Sequence, residues 1–256
     1  MRLSSLFSKL APERMTLQGA LSHIKRLGFE PETVLDVGAA GGTYEIYETF
    51  PKAFHVLIEP LEEYKPYLDR MVKRYERAEV VIAAAYHASG EVTLHVHPDL
   101  MGSSLYLEGE DSDVNGLPRV VKAVTLDHLC SNRRLEGPYL IKLDAQGAEL
   151  DVLKGSEKVL ENSEYVVVES SLFQFFKNGP QLIDVILFMK DRGFVVYDLL
   201  DHQYRPLDGA MSQIDLAFVK ESGFFRKSHV YATRAQREIQ NKRLKKGRIG
   251  MGEGSR

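Results

Sequence analysis

A short apolar segment that runs directly into a glycine-rich turn, Thr33 to Gly42 (TVLDVGAAGG), constrains the fold of this chain more than any other stretch. Val34, Leu35 and Val37 predict a buried strand, and the residues that follow have almost no side chains. A parallel strand that ends in such a turn lets a ligand reach the backbone at the carboxyl edge of a sheet. The segment therefore predicts an α/β protein with a ligand site at this turn.

Strand and helix patterns alternate along the rest of the chain. Further apolar runs at Phe54 to Ile58, Tyr139 to Asp144 and Tyr165 to Glu169 predict strands, and Phe194 to Leu200 with Ile214 to Lys220 predict a late antiparallel pair. Helical spacing is found at Met15–Leu27, Tyr44–Thr49, Leu61–Tyr75, Glu149–Glu161 and Gln181–Arg192. This alternation predicts a mostly parallel sheet with helices on both faces.

The middle of the chain predicts a small extra β hairpin and a long loop. Glu79 to Ala85 is rich in apolar residues, Glu91 to His97 alternates between apolar and polar residues, and Ser89-Gly90 predicts a tight turn between them. Met101 to Pro118 is polar and rich in Gly, Ser and Asp, which indicates a surface loop that can act as a lid. Val120 to Leu126 then predicts another strand.

Length and charge divide the chain into three parts. We expect an N-terminal helical extension at 1–32, one α/β domain at 33–220 and a basic tail at 221–256 that is partly helical or disordered. The stretch from Lys220 onward holds 11 Lys and Arg against 3 Asp and Glu, whereas the preceding residues hold 22 against 33. We expect no nucleic-acid partner for the tail, because no aromatic residue is interleaved with its charges after Tyr231.

The cysteine content and hydropathy indicate a cytoplasmic protein. Cys130 is the single cysteine, which excludes an intramolecular disulfide and a cysteine-based metal site. No apolar run approaches the roughly 20 residues that a membrane-spanning helix needs. We therefore expect a protein without a membrane span, while its oligomeric state is not predicted.

Two acidic residues at strand ends suggest a nucleotide-like ligand. The spacing of Asp36, Gly38 and Gly42 does not match the G-x-G-x-x-G pattern of nicotinamide-binding proteins. Glu59 lies 23 residues after Asp36, at the tip of the next strand, where an acidic side chain commonly accepts the hydroxyls of a ribose. A simple tight turn and a solvated strand cap are the structural alternatives.

Several motifs in a fixed order resemble a known family. They are VLDVGAAGG, the following IEP, GSS at 102–104, TLD at 125–127, IKLDAQGAELDVLKGSE at 141–157, VVVES ending at 170 and IDLAFVK at 214–220. Over Thr33 to Lys220 the chain thus resembles the FkbM family of S-adenosylmethionine-dependent methyltransferases. The resemblance implies a Rossmann-like, seven-stranded class I methyltransferase fold, S-adenosylmethionine as cofactor, and methyl transfer to a hydroxyl oxygen of a sugar or related small molecule.

The resemblance also implies which residues bind the cofactor. Those near the glycine-rich turn would contact its methionine part, Glu59 and Pro60 its ribose, and Ala85 its adenine, while the serine loop would lie near the cofactor or the acceptor. The full set is Asp36, Gly38, Ala39, Gly42, Glu59, Pro60, Ala85, Ser103 and Ser104. For the serine loop, a flexible connection is the alternative.

Two strand-end carboxylates are the candidate catalytic residues. Asp144 and Glu169 end neighbouring strands, so they are expected to face one cleft, where either can orient the acceptor hydroxyl or accept its proton. Where the family pattern has a glutamate, this chain has Gln146, which cannot ionise and therefore argues against a metal site. Glu149 is expected to cap the following helix.

The sequence therefore predicts an O-methyltransferase for a hydroxylated small molecule or glycan. Two other classes stay open: a nicotinamide-dependent oxidoreductase with a related fold, and a non-catalytic cofactor-binding module whose basic tail contacts an anionic partner.

Overall fold

The computed structural model describes residues 14–109 and 114–242. The chain forms two compact units, 1–225 and 226–256. Parts of the expected N-terminal extension, of the long loop and of the tail (1–13, 110–113 and 243–256) lie outside the described residues. The expected three-part division into 1–32, 33–220 and 221–256 remains a prediction.

In the described residues of the first unit, ten strands form two sheets. They are β1 (Thr33–Val37), β2 (Phe54–Glu59), β3 (Ala78–Ile82), β4 (Ala84–Ala85), β5 (Gly90–Val96), β6 (Leu117–Val124), β7 (Tyr139–Leu143), β8 (Ser163–Ser171), β9 (Phe194–Tyr204) and β10 (Met211–Lys220). The large sheet has the order β3-β2-β1-β7-β8-β10-β9 and the small one the order β4-β6-β5. In the large sheet every pairing is parallel except those of β10, which runs antiparallel to both β8 and β9.

Seven α-helices accompany these strands in the described part of the first unit. They are α1 (Leu17–Arg26), α2 (Tyr44–Thr49), α3 (Lys65–Val72), α4 (Leu126–Arg133), α5 (Glu149–Lys154), α6 (Glu157–Glu161) and α7 (Leu182–Asp191). Single 3-10 turns are formed by Glu62–Tyr64 and Phe224–Arg226. In the second unit, residues 234–242 are helical. No helix of the described residues is long and apolar enough to cross a membrane.

The large sheet is covered on both faces, as the alternating pattern predicted. Along β1, Leu35 and Val37 belong to one apolar core with residues of α4 to α7, whereas Val34 belongs to another with residues of α1 and α2. Thr16 begins α1 by accepting the N–H of Gly19 on its side-chain oxygen at 3.1 Å. The predicted mostly parallel sheet and the late antiparallel pair are confirmed.

The predicted hairpin after the third strand is wrong. β4 and β5, which flank Ser89-Gly90, do not pair with each other, because β6 lies between them. β5 forms a long antiparallel ladder with β6, whereas β4 has only two residues and pairs with β6 in parallel. The small extra sheet is therefore closed by the strand that follows the long loop.

Two helices also differ from the sequence pattern. The helix predicted at Glu149–Glu161 is divided at Gly155 into α5 and α6. The chain passes close to Tyr86 at this break, since a Cβ at Gly155 would lie 2.3 Å from the carbonyl oxygen of Tyr86. The strand predicted to reach Leu126 ends at Val124, and Thr125 caps α4 by accepting the N–H of His128. The sequence pattern did not predict α4.

Candidate active site

A cavity opens at the carboxyl ends of β1, β2 and β7, the edge that the glycine-rich turn predicted. Its floor is formed by the turn after β1 and by the start of the β7–α5 loop, and its roof by the small sheet and the loop after β5. The lining residues are Val37, Gly38, Ala40, Glu59, Pro60, Leu61, Tyr64, Ala84, Ala85, Leu94, Leu100, Met101, Ser103, Leu105, Asp144, Ala145, Gln146 and Ala148.

Gly38 lets three strands meet at this cavity. Its φ is +72°, and an added Cβ would lie 1.7 Å from the carbonyl oxygen of Asp144, so no larger residue fits. Its N–H donates to the carbonyl of Ile58 at 2.9 Å, and the N–H of Asp144 donates to the carbonyl of Val37 at 3.0 Å. The turn therefore fixes the ends of β1, β2 and β7 relative to one another.

Asp36, Ala39 and Gly42 do not line the cavity. Asp36 is fully buried, and its carboxylate accepts hydrogen bonds from the N–H and hydroxyl of Thr43 and from the hydroxyl of Tyr47. Ala39 packs into the core on the α1 side, and a Cβ on Gly42 would overlap the side chain of Met71. These three residues therefore support the turn from the side that faces the core. Asp36 points to that side because successive side chains of a strand alternate between its two faces.

Glu59 faces the cavity and is almost fully buried. Its Oε2 accepts the N–H of Ala40 at 2.9 Å and its Oε1 accepts the N–H of Leu61 at 3.0 Å. Burial raises the pKa of this carboxyl, and the two backbone N–H groups oppose the shift. Each carboxylate oxygen keeps a second lone pair, so the bonds leave room for two ligand hydroxyls. Pro60 lines the cavity beside it.

The adenine side predicted at Ala85 is apolar. Ala85 lines the cavity opposite Leu61 and Leu94. Leu61 and Leu94 form a small separate core with Val96, against which Tyr64, Leu100, Leu105 and Val121 pack. This arrangement makes that part of the cavity apolar, which suits an aromatic base.

The two predicted serines have different positions. Ser103 lines the cavity, and its hydroxyl accepts the N–H of His97 at 3.0 Å. Ser104 is buried beneath it and donates its hydroxyl to the carbonyl of Gln146 at 2.5 Å. Ser104 therefore joins the loop after β5 to the loop after β7.

The loop after β5 is held down at several points and covers the cavity. We call residues 97–109 the lid segment. The hydroxyl of Tyr106 donates to Asp151 at 2.5 Å, which attaches the segment to α5. Backbone bonds from Gly109 to the carbonyl of Phe175 and from Lys177 to the carbonyl of Leu107, both 2.8 Å, attach it to the loop after β8. The lid segment and the loop after β8 therefore meet.

Asp144 and Glu169 are brought together as predicted, although only Asp144 lines the cavity. Asp144 accepts the ammonium of Lys142 at 2.8 Å on Oδ2 and the amide of Gln146 at 2.9 Å on Oδ1. The same amide donates to Glu169 Oε2 at 3.2 Å, and Gln213 donates to that oxygen at 3.1 Å. Glu169 lies behind Asp144 and is 8% exposed.

The pKa of Glu169 lies far above that of an ordinary glutamate. Burial, reinforced by the charges of Asp144 and Glu149, raises the pKa of Glu169 to about 9. Burial also raises the pKa of Asp215, which lies opposite Glu169 on β10, to about 7. Burial disfavours the charge of Lys142, but the carboxylates of Asp144 and Asp36 outweigh this effect and raise its pKa. At neutral pH, Glu169 is therefore a hydrogen-bond donor rather than a base.

Glu149 differs from its predicted role as a cap of the following helix. Its Oε1 accepts the N–H groups of Ala145 and Gly147, at 3.0 and 3.1 Å, which belong to the turn before α5. Glu149 therefore braces the turn that carries Gln146. In the described residues, no group of three or more His, Cys, Asp or Glu side chains is arranged to hold a metal ion.

Sequence patterns did not predict the apolar roof or the bridging role of Gln146. Leu94 was visible only as part of an alternating strand, and Leu100 and Leu105 lie in a loop without periodicity. The resemblance to the FkbM family predicts no role for Gln146, because this chain departs from the family pattern at that position.

Comparisons with known proteins agree with this geometry. The family model described as Methyltransferase FkbM domain matches residues 36–196. Hexuronic acid methyltransferase AglP of Haloferax volcanii is 28% identical over 145 residues, which are 55% of this chain and 56% of that protein. The chain thus spans little more than half the length of this curated relative.

Two solved methyltransferase structures are similar to this chain at low sequence identity. Magnesium protoporphyrin IX methyltransferase from Synechocystis PCC 6803, solved with bound SAM, is 8% identical, with a TM-score of 0.45 over 80% of this chain and 76% of that chain. Precorrin-6y C5,15-methyltransferase from Geobacter metallireducens GS-15 is 12% identical, with a TM-score of 0.42 over 80% and 87%.

The fold and cavity define the class. Five parallel strands followed by a hairpin whose last strand runs antiparallel, with a cavity at the carboxyl edge, form the Rossmann-like fold of class I methyltransferases. With the family match covering more than half of its length, the chain belongs to the FkbM methyltransferase family. This confirms the resemblance and argues against the nicotinamide-dependent alternative.

Proposed function

We propose that the protein is an S-adenosylmethionine-dependent O-methyltransferase that acts on a hydroxyl group of a sugar. The observation that carries the proposal is the cavity at the strand ends, which runs from the buried carboxylate of Glu59 to Asp144. The family supports methyl transfer, and the relative named a hexuronic acid methyltransferase supports a sugar acceptor.

The residues present fit the cofactor. The unused lone pairs of Glu59 would accept the two ribose hydroxyls, and the apolar space between Ala85, Leu61 and Leu94 would take the adenine. The backbone of Gly38 and Ala40 would lie along the methionine part, where a side chain at Gly38 has no room. Asp36 would act indirectly, by holding the turn.

Asp144 is the residue that would receive the acceptor's proton. When bound, the cofactor supplies a methyl carbon that its sulfonium already activates, so the protein's work is mainly alignment and exclusion of water. As the methyl group is transferred, a carboxylate oxygen of Asp144 would accept the proton of the acceptor hydroxyl and later release it to solvent. The protonated Glu169 would keep Asp144 in place through Gln146.

Titration calorimetry with S-adenosylhomocysteine tests the cofactor site. We expect binding by the wild type and a loss of at least about tenfold in affinity in Glu59→Ala, which corresponds to about 1.4 kcal/mol. The matched control is Glu62→Ala, an exposed residue three positions away, which should bind like the wild type. A folded wild type that does not bind the ligand would refute the proposal.

Mass spectrometry with labelled S-adenosylmethionine tests the reaction itself. Neutral hexoses, hexuronic acids and their glycosides are the acceptors to screen, and the product should gain one methyl group on oxygen. Asp144→Asn should lower the rate about 100-fold or more, the usual contribution of a general base. Cofactor binding without transfer to any of these acceptors would instead favour the non-catalytic binding module.

A further inference from the structure

Gln146 lies where the cavity, the two candidate catalytic carboxyl groups and the lid segment meet. It lines the cavity, and its side chain and its backbone carbonyl make separate contacts with different parts of the site. Neither the family match nor the named relatives assign a role to this residue.

The side chain of Gln146 connects the two carboxyl groups. An amide nitrogen has two N–H groups, and here Nε2 lies 2.9 Å from Asp144 Oδ1 and 3.2 Å from Glu169 Oε2. Both donors are therefore used. An ionised glutamate in the same place would have no donor and would bring a further negative charge against the carboxyl groups of Asp144 and Glu169.

The backbone of Gln146 connects the same residue to the lid segment. Its carbonyl accepts the hydroxyl of Ser104, which is buried and also accepts the N–H of Tyr106 at 2.9 Å. The φ of Gln146 is +46°, and that of Gly147 is +95°. A side chain at Gly147 would come within 2.5 Å of the ring of Phe176, so the turn packs closely under the loop after β8.

We propose that Gln146 is a positioning residue: its amide holds Asp144 and Glu169 at a fixed separation, and its carbonyl couples that pair to the lid segment. The meaning of this role for catalysis rests on the proposed function. The hydrogen bonds themselves can be tested without any methyl donor or acceptor.

The titration of Glu169 is the measurement that reports on the contact. The groups that face it are Asp144, Lys142, Glu149, Asp215 and the amides of Gln146 and Gln213. Gln146→Met keeps the approximate volume but removes a donor that favours the charged form, so the pKa of Glu169 should rise. Gln146→Glu adds a like charge and should raise the same pKa.

The experiment is a carbon-13 NMR titration of the full chain with labelled glutamate carboxyl groups, in which Glu169→Gln assigns the signal. Relative to wild type, Gln146→Met and Gln146→Glu should move the Glu169 midpoint upward by about half a unit or more. The measuring error of such a midpoint is about 0.2 pH unit. If the Glu169 midpoint of folded Gln146→Met differs from that of the wild type by no more than this error, the proposed contact is overturned.

Two serine variants test the coupling to the lid and remain informative if the Gln146 variants do not fold. Ser104→Ala removes the bond to the Gln146 carbonyl without touching a carboxyl group, and it should shift the Glu169 midpoint. Ser103→Ala is the matched control, because its hydroxyl bonds to the N–H of His97 instead, and it should leave the midpoint in place. Equal midpoints in the two variants would overturn the coupling.

Activity separates this inference from the proposed function. If methyl transfer is found, Gln146→Met should lower kcat about tenfold or more and shift its pH profile, while the affinity for S-adenosylhomocysteine stays close to wild type. A parallel loss of affinity and kcat with an unchanged pH profile would indicate a structural role alone and overturn the proposal. Absence of transfer in the wild type would refute the proposed function but leave the NMR result intact.

Discussion

Replacement of Gly38 by alanine is the sharpest test of how the turn after β1 builds the site. An alanine at φ +72° costs about 1–2 kcal/mol in backbone strain. Its Cβ would also lie 1.7 Å from the carbonyl oxygen of Asp144, a backbone atom that cannot rotate away. Forcing such an overlap typically costs about a further 1–3 kcal/mol. We therefore expect Gly38→Ala to lower the free energy of unfolding by about 2–5 kcal/mol.

Gly209→Ala is the matched control for this prediction. Gly209 has nearly the same φ, +73°, but an added Cβ there meets nothing within 4 Å, so only the backbone strain applies. Urea unfolding followed by far-ultraviolet circular dichroism measures both variants, and the difference between them isolates the overlap. If Gly38→Ala were no less stable than Gly209→Ala, the close approach of β1 and β7 would be refuted.

Three further substitutions test separate parts of the structure. Tyr47→Phe removes a hydrogen bond to the buried carboxylate of Asp36 and should lower the free energy of unfolding by about 1.5–3 kcal/mol in urea; an unchanged midpoint would contradict this bracing role. Thr16→Ala removes the cap of α1 and should cost about 1 kcal/mol in the same assay, with Ser22→Ala in the middle of the helix as the control. Burial raises the pKa of Glu169 from 4.5 to about 9, so the folded protein keeps a proton that the unfolded chain releases, and the contribution of this group to the free energy of unfolding falls as the pH rises from 4.5 to 9. Glu169→Gln should flatten this fall in thermal unfolding measured across that range, and a slope like that of the wild type would contradict the assignment.

The sequence predicted most of the large sheet because its signals are local. A run such as Tyr139–Leu143 is buried on both faces, so apolar residues dominate it, and Lys142 is its one charged residue. Glu59 and Asp144 were placed correctly at one sheet edge, because parallel strands with helical connections end on the same side. Gly38, Pro60, Ala85 and Ser103 also line the cavity, while their contact with a cofactor remains a prediction.

Other features depended on contacts that a local sequence pattern does not show. β5 pairs with β6, which follows a long loop, rather than with β4. The periodicity of a strand does not show which other strand it will pair with. The orientation of Asp36 was also not predicted. The pattern showed an acidic residue at a strand end, but not that Thr43 and Tyr47 would donate hydrogen bonds to its carboxylate. A ligand-binding carboxylate and a bracing one have the same local sequence.

The sequence by itself determined an α/β sheet, the edge at which its glycine-rich turn lies, and membership of a methyltransferase family. Only the tertiary structure decided that Gln146 joins Asp144 to Glu169 and that the lid segment closes over the same cavity. The physical reason is the range of the interactions involved. Burial of a strand and the freedom of a glycine act within a few residues, whereas the charge state of a carboxyl group depends on every group that folding brings near it.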